Sequence, residues 1–309
     1  MKQTKLYVLT GFLGSGKTSL LLHLMDCIRD AKIGVIQNEF GKVSIDGILS
    51  RRDGIEMTEI SRGSIFCSCL KLRFVQALAE MGQKDLDYVI VESSGLADPS
   101  NIEEILGAVR LLAGDCYRFA GAICLIDAFN FPAQLSDVET VERQLAHCHM
   151  AVVNKTDLVS PAQLEAVTTD LRTVNPRCRI EFCENGKIDP DFLQEDLMQR
   201  SWATCEDSLN TVDNKPKTIS LECAGPLKRE EIRAFLQAAL PDAYRIKGFL
   251  PLEEGWMQVD VVETLIDFTP TAPRELGQLV FLSKVGPQII RTVDSAWKQH
   301  VSASMKLRN

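Results

Sequence analysis

The run Gly11-Phe12-Leu13-Gly14-Ser15-Gly16-Lys17-Thr18 follows a short apolar segment, Lys5–Leu9, and opens a helical pattern over Ser19–Asp30. No other feature restricts the fold as strongly. In a strand-loop-helix order the strand belongs to a covered sheet and the loop to its carboxyl edge. Glycines let successive backbone N–H groups turn inward around a phosphate without Cβ clashes, and the helix start adds partial positive charge. Lys17 then reaches the β- and γ-phosphates and the Thr18 hydroxyl ligates Mg²⁺. Gly11, Gly14, Ser15, Gly16, Lys17, Thr18 and Ser19 are thus the expected phosphate cradle. A plain glycine turn before an ordinary helix is the alternative, and the strand-loop-helix context weighs against it.

The rest of the chain continues the pattern. Strand candidates Ile33–Gln37, Tyr88–Glu92, Ala122–Ile126, Ala151–Val153 and Arg179–Phe182 are short and mostly apolar on both faces, as in a parallel sheet covered on both sides. Between them lie helical patterns over Phe74–Met81, Ile102–Ala113, Ala133–Cys148 and Ala162–Val174. The last is introduced by Ser160-Pro161, an N-cap with proline at the first helical position. The repeated βα order predicts an α/β domain over residues 1–205, a doubly wound, mainly parallel sheet of the P-loop NTPase kind. Residues 206–217 are polar and acidic and read as a linker. Beyond them Ile219, Leu221 and Cys223 alternate as in a half-buried strand, and Ile232, Phe235, Leu236, Ala239 and Leu240 share a helix face. Strand-like runs at Tyr244–Leu250, Trp256–Val262, Thr264–Phe268 and Gln278–Leu282 follow without helical crossovers. Residues 218–309 therefore read as a smaller C-terminal α+β domain with an antiparallel sheet.

A net charge of −8 argues against bulk binding to nucleic acid or an anionic membrane. No apolar run approaches the roughly 18 residues a membrane span needs. Ten cysteines with no basic-then-apolar export signal at the start point to the reducing cytoplasm, where disulfides are rare. Metal ligation, redox chemistry or burial is left for the thiols.

Asn154-Lys155-Thr156-Asp157 stands at the end of a strand candidate. There the Asp157 carboxylate can accept the guanine N1–H and exocyclic NH₂ together, the Lys155 stem can lie over the ring, and Asn154 can brace the loop. Adenine lacks both donors, so a buried Asp157 facing it would stay unpaired, and a polar pocket rejects such an analogue strongly. After a phosphate loop the pair specifies GTP and GDP. Asp87–Gly95 has the form of a buried strand delivering an acid, Glu92, toward the Mg²⁺, then Gly95, whose N–H can sense the γ-phosphate. Asn38–Gly41 occupies the usual position of a first switch loop. Nothing in the chain marks an attacking-water residue or an arginine finger, and Arg51, Arg52 and Arg62 read as structural or solvated. Turnover is therefore expected to be slow, roughly 10⁻⁴ to 10⁻² s⁻¹ as in unassisted GTPases.

This constellation resembles the CobW-like family of P-loop GTPases, relatives of the nickel-chaperone GTPases of urease and hydrogenase maturation. The matching segments are GFLGSGKTS, QNEFG with VSIDGIL, VIVESSGLADPSNI, LIDAFNF, VVNKTDLV and, in the second domain, AYRIKGFL and LVFL. The resemblance covers nearly the whole chain. It implies a GTP-dependent metal chaperone or metal-insertion factor for a client metalloprotein or metalloenzyme, with an N-terminal GTPase domain and a C-terminal α+β domain.

The chain departs from that family at its metal motif. The family pattern is Cys-x-Cys-Cys just past a glycine. Here Gly63-Ser64-Ile65-Phe66-Cys67-Ser68-Cys69 puts Ser64 and Phe66 at the first two positions and keeps Cys67, with Cys69 two residues on. Two thiolates can hold a borderline ion, Zn, Co or Ni, although a closed structural site wants four ligands. In the layout the resemblance implies, Glu39 is the third candidate ligand. The alternative is two reduced thiols packed near the nucleotide. His147-Cys148-His149 has chelating spacing but precedes its strand, so it belongs at the edge away from GTP and reads as a helix end with solvated histidines. Cys27, Cys116, Cys124, Cys148, Cys178, Cys183, Cys205 and Cys223 read as small hydrophobes.

The expectation is a Mg-dependent GTP-binding protein with slow hydrolysis, in which GTP orders Asn38–Gly41 and Glu92–Gly95 and so positions Cys67–Cys69. The alternative is a regulatory or assembly GTPase that activates a metallo- or cobalamin-dependent enzyme by docking, carrying no metal. A third reading, an ATP-dependent kinase, requires an ATP preference.

Overall fold

The computed structural model describes residues 3–38, 55–60, 71–195, 197–200, 218–262 and 265–308. The chain divides into two compact units, Met1–Asn214 and Lys215–Asn309.

The first unit is organised by β1, Thr4–Gly11. Its alternate residues serve two cores: Leu6 and Val8 pack with Phe74 and Leu78 on one face, Tyr7 and Leu9 with Leu20 and Leu24 on the other. That double coverage is why the strand is apolar throughout. Flanking it in the sheet are β2 (Ile33–Gln37), β3 (Ile55–Glu59), β4 (Tyr88–Glu92), β5 (Tyr117–Asp127), β6 (Met150–Asn154) and β7 (Arg179–Phe182), in the order β3-β2-β4-β1-β5-β6-β7. Every pairing is parallel, so all carboxyl ends lie along one edge. The last residues of β1, β2, β4, β5 and β6 are Gly11, Gln37, Glu92, Asp127 and Asn154. That edge is where a doubly wound sheet binds its ligand.

Helices α1 (Lys17–Cys27), α2 (Lys71–Met81), α3 (Ile102–Ala113), α4 (Phe131–Asp137), α5 (Glu139–Ala146) and α6 (Pro161–Val174) complete the described part of this unit. The α6 start carries the expected cap: Ser160 Oγ accepts from the Gln163 N–H, and the Gln163 side chain returns to the Ser160 N–H. Three features differ from the sequence reading. The single helix expected over Ala133–Cys148 is two, because Val138 is extended (φ −133°, ψ 100°) and its side chain is drawn into the core. β5 starts at Tyr117 rather than Ala122, with a bulge where the partners of Leu6 and Tyr7 step from Phe119 to Gly121. β3 was not anticipated.

The second unit has the expected α+β form. Six strands, β8 (Thr218–Cys223), β9 (Ala243–Leu252), β10 (Gly255–Val262), β11 (Leu265–Pro270), β12 (Gly277–Ser283) and β13 (Met305–Arg308), pair antiparallel in the order β11-β10-β9-β12-β8-β13. Helices α7 (Arg229–Ala239) and α8 (Ile289–His300) pack on each other. At the core Phe235 meets Trp297 edge-on at 4.9 Å and Phe281 at 6.0 Å. β13 is too short and polar to show in the sequence.

Candidate nucleotide site

The loop from Gly11 to Gly16 turns through three glycines at positive φ: Gly11 at 128°, Gly14 at 76° and Gly16 at 103°. At two of them space is as restrictive as conformation. A Cβ on Gly11 would lie 2.3 Å from the Leu125 carbonyl oxygen, and one on Gly16 would lie 2.3 Å from Asn154 Nδ2. Gly16 is the N-cap of α1 and supplies no capping side chain, and the first turn of that helix carries no acid. Its leading N–H groups and dipole are thus disposed toward an anion. Ser15 Oγ is buried and makes no hydrogen bond among the described residues. Lys17, also buried, donates to the carbonyls of Gly11 (2.8 Å) and Phe12 (3.0 Å), within the loop it is expected to serve. Ser19 is exposed on α1. A Gly16→Ala variant should lose roughly 1–3 kcal/mol of stability through strain. It should also lose nucleotide affinity, because the new methyl displaces Asn154; calorimetric melting and titration with GDP check both.

Glu92 is the junction of the phosphate side. Only 2% exposed, it accepts from the Thr18 hydroxyl at 2.6 Å through Oε1 and from Gln37 Nε2 at 2.7 Å through Oε2. Its backbone carbonyl accepts the Asn38 N–H at 2.9 Å. The β2–β4 register, which sets Gln37 opposite Glu92, creates this arrangement. Gln37 opens the QNEFG segment, but nothing local pairs it with Glu92.

The segment after Glu92 lies directly on the phosphate loop. Gly95 is buried, and a Cβ there would fall 2.5–2.8 Å from Leu13. Two residues of α5 hold the segment from behind. Gln144 Nε2 donates to the carbonyls of Ala97 (2.9 Å) and Gly95 (3.3 Å), and Arg143 pairs with the buried Asp98 at 2.9 Å.

At the end of β6, Asn154 ties neighbouring loops together. Its Nδ2 donates to the Ser15 carbonyl at 2.9 Å, while Oδ1 accepts the Gly186 N–H at 3.0 Å and the Cys183 thiol at 3.4 Å. Burial pushes that thiol up to about 11, so Cys183 stays a protonated donor at neutral pH. Lys155 adopts a left-handed backbone (φ 63°), and its Nζ donates to Asp127 Oδ2 at 2.5 Å. Asp127 is buried and also accepts from the Phe129 N–H and Asn130 Nδ2, both at 3.1 Å. Asp157 sits on the short turn Thr156–Leu158, which Thr156 ties to the Cys183 carbonyl at 3.1 Å. Its side chain is exposed. The sequence pictures it buried, whereas here it meets solvent. Asp127, Cys183 and Gly186 were not foreseen as parts of this site. The LIDAFNF segment and the Asn185-Gly186 turn held the signal.

Glu39, Cys67 and Cys69, like Ser64 and Phe66, lie outside the described residues. Among the described residues no group of three or more His, Cys, Asp or Glu side chains is arranged to hold a metal ion. The His147-Cys148-His149 triplet is built into the scaffold, and His147 is half-buried with its Nδ1 2.9 Å from the Arg143 carbonyl. His149 is half-buried rather than solvated: its Nδ1 accepts the Ala122 N–H at 3.0 Å and its ring stands edge-on to Phe119 at 5.8 Å. Cys148 is fully buried.

The CobW/HypB/UreG nucleotide-binding domain profile matches residues 5–182, and that of the cobalamin synthesis protein cobW C-terminal domain matches residues 217–292. The zinc chaperone YjiA of Escherichia coli (strain K12) is 30% identical over 261 residues, 79% of this chain and 80% of its own length. The zinc chaperone CobW of Sinorhizobium sp is 29% identical over 211 residues, 59% of each chain. The crystal structure of Zn(II)-bound YjiA GTPase from E. coli covers 97% of this chain and 99% of its own, at 22% identity and a TM-score of 0.49. This chain belongs to the CobW/HypB/UreG family and carries both the family's nucleotide-binding domain and a CobW C-terminal domain.

Proposed function

We propose that the chain is a Mg-dependent GTP-binding protein with slow GTP hydrolysis, and that its nucleotide state controls delivery of a metal ion to a client metalloprotein. The observation that carries the reading is the Glu92 carboxylate, which joins Thr18 of the phosphate loop to Gln37, the residue before Asn38. A change at the phosphates is thereby transmitted to the chain that leads toward Glu39.

In this reading Gly11, Gly14, Ser15, Gly16 and Ser19 contribute to the cradle, and Lys17 exchanges its loop carbonyls for phosphate oxygens. Thr18 and Glu92 would hold Mg²⁺: they are hard oxygen donors 2.6 Å apart, the chemistry that ion accepts. When bound, Mg²⁺ neutralises charge developing on the β- and γ-phosphate oxygens. Gly95, pressed on Leu13, senses the γ-phosphate, and Asn154, Lys155 and Asp157 select guanine. Slow hydrolysis fits a site for which the sequence supplies no recognisable arginine finger.

Zinc is the ion in the names of the relatives above and is the first candidate cargo, ahead of Co and Ni, with Cys67, Cys69 and Glu39 as its proposed ligands. Among the described residues no helix is long and apolar enough to cross a membrane, and we place the protein in the cytoplasm. The docking-only reading, an activator that carries no metal, is favoured by one fact: Ser64 and Phe66 replace two cysteines of the family pattern. Metal titration in the two nucleotide states separates the readings: unequal affinity supports gated delivery, and absence of metal in both states supports docking alone.

A further inference from the structure

Cys27 does not behave as the small hydrophobe expected from the sequence. It is the last residue of α1 and is exposed, whereas Cys124, Cys148, Cys178, Cys183 and Cys223 are buried. One turn earlier on the same helix face stands His23, spaced i,i+4 so that the two side chains meet. Cys27 Sγ lies 3.6 Å from His23 Nε2 and 4.0 Å from Nδ1.

We propose that His23 and Cys27 form a two-ligand site for a borderline divalent cation of the zinc class. The imidazole tautomer is already set for it. His23 Nε2 is 2.8 Å from the Ile188 carbonyl, which can only accept, so Nε2 carries the proton and Nδ1 keeps the lone pair. A carbonyl fixing the tautomer of a ligating histidine is the usual outer-shell arrangement of zinc sites. With bonds of about 2.0–2.1 Å to nitrogen and 2.3 Å to sulfur, a tetrahedral ion separates the donor atoms by about 3.6 Å. Sγ now lies nearer Nε2 than Nδ1, so binding turns the exposed Cys27 side chain round to the Nδ1 side of the ring, where that separation can be reached. The site is at a helix C-terminus, whose dipole favours a cation, and the last turn of α1 carries no basic residue. Arg29, just beyond, turns its Nε to the Asp26 carbonyl at 3.1 Å.

Two protein ligands leave the other tetrahedral positions to water or to a group from another molecule, so an ion held here is open to exchange. The orienting carbonyl also connects to the base side. Ile188 follows Gly186, whose N–H bonds Asn154 and where a Cβ would fall 2.7 Å from the Leu20 backbone nitrogen of α1. The site is separate in sequence from Cys67 and Cys69 and binds metal whether or not nucleotide gates those residues.

The test is alkylation of the full chain with iodoacetamide, with and without Zn²⁺, read peptide by peptide by mass spectrometry. Bound Zn²⁺ should slow modification of Cys27 by on the order of tenfold or more, because the metal holds the thiolate that would attack. The protection should vanish in His23→Gln, which removes the imidazole but keeps a donor for the Ile188 carbonyl. Equal rates of Cys27 modification with and without Zn²⁺, or equal protection in His23→Gln, would overturn the proposal. The peptide holding Cys67 and Cys69 is quantified in the same experiment, so failure at one site is distinguished from failure at the other.

Discussion

Replacing Asp157 with alanine is expected to abolish the preference for GTP over ATP while leaving the thermal unfolding temperature unchanged. The side chain is exposed and makes no hydrogen bond among the described residues, so the fold owes it nothing. The proposed role is confined to the bound state, where one carboxylate accepts two guanine N–H donors. Two charge-assisted hydrogen bonds are worth about 4 kcal/mol, so GTP affinity should fall roughly 10³-fold. ATP affinity should be little changed, since adenine cannot make either bond. Competition of ATP and GTP against a labelled guanine nucleotide measures both. A variant that still prefers GTP as strongly as the parent would place base selection elsewhere, and a parent that prefers ATP would reopen the kinase reading.

The second large effect is expected at Glu92. Glu92→Gln keeps size and shape and removes the charge proposed to face Mg²⁺. Turnover at limiting Mg²⁺ should drop on the order of a hundredfold, ~3 kcal/mol of the several such an ion supplies. The nucleotide-free protein should melt no lower than the parent. A buried carboxylate is costly to desolvate, and a glutamine can still accept the Thr18 hydroxyl while the Gln37 amide turns over to accept its NH₂. Loss of activity with stability retained is thus the signature of a magnesium role; loss of both would assign Glu92 a scaffolding part.

The sequence displayed those parts of the site that are continuous along the chain. The phosphate loop and Asn154–Asp157 need only local order, a strand then a turn, and both lie where that order put them. What escaped notice is set by pairing between distant segments. Gln37 meets Glu92 through the β2–β4 register, and Lys155 meets Asp127 across the β5–β6 edge. No local pattern encodes either. The α4–α5 break was hidden because Val138 continues an apolar helical period while its backbone leaves it. Exposure of Cys27 was equally invisible: it follows Leu24 and Met25, both buried, and only the direction of α1 separates their faces.

The central proposal, that nucleotide state gates metal, is tested most directly by titrating Zn²⁺ or Co²⁺ into the full chain loaded with GDP and with a non-hydrolysable GTP analogue. A coupling free energy of ordinary size, about 1–3 kcal/mol, predicts affinities that differ by roughly 5- to 150-fold between the two states. The difference should disappear in Cys67→Ser/Cys69→Ser, while the His23–Cys27 site contributes equally to both titrations. Equal affinity in GDP, in the analogue and in the double variant would contradict nucleotide-gated metal delivery.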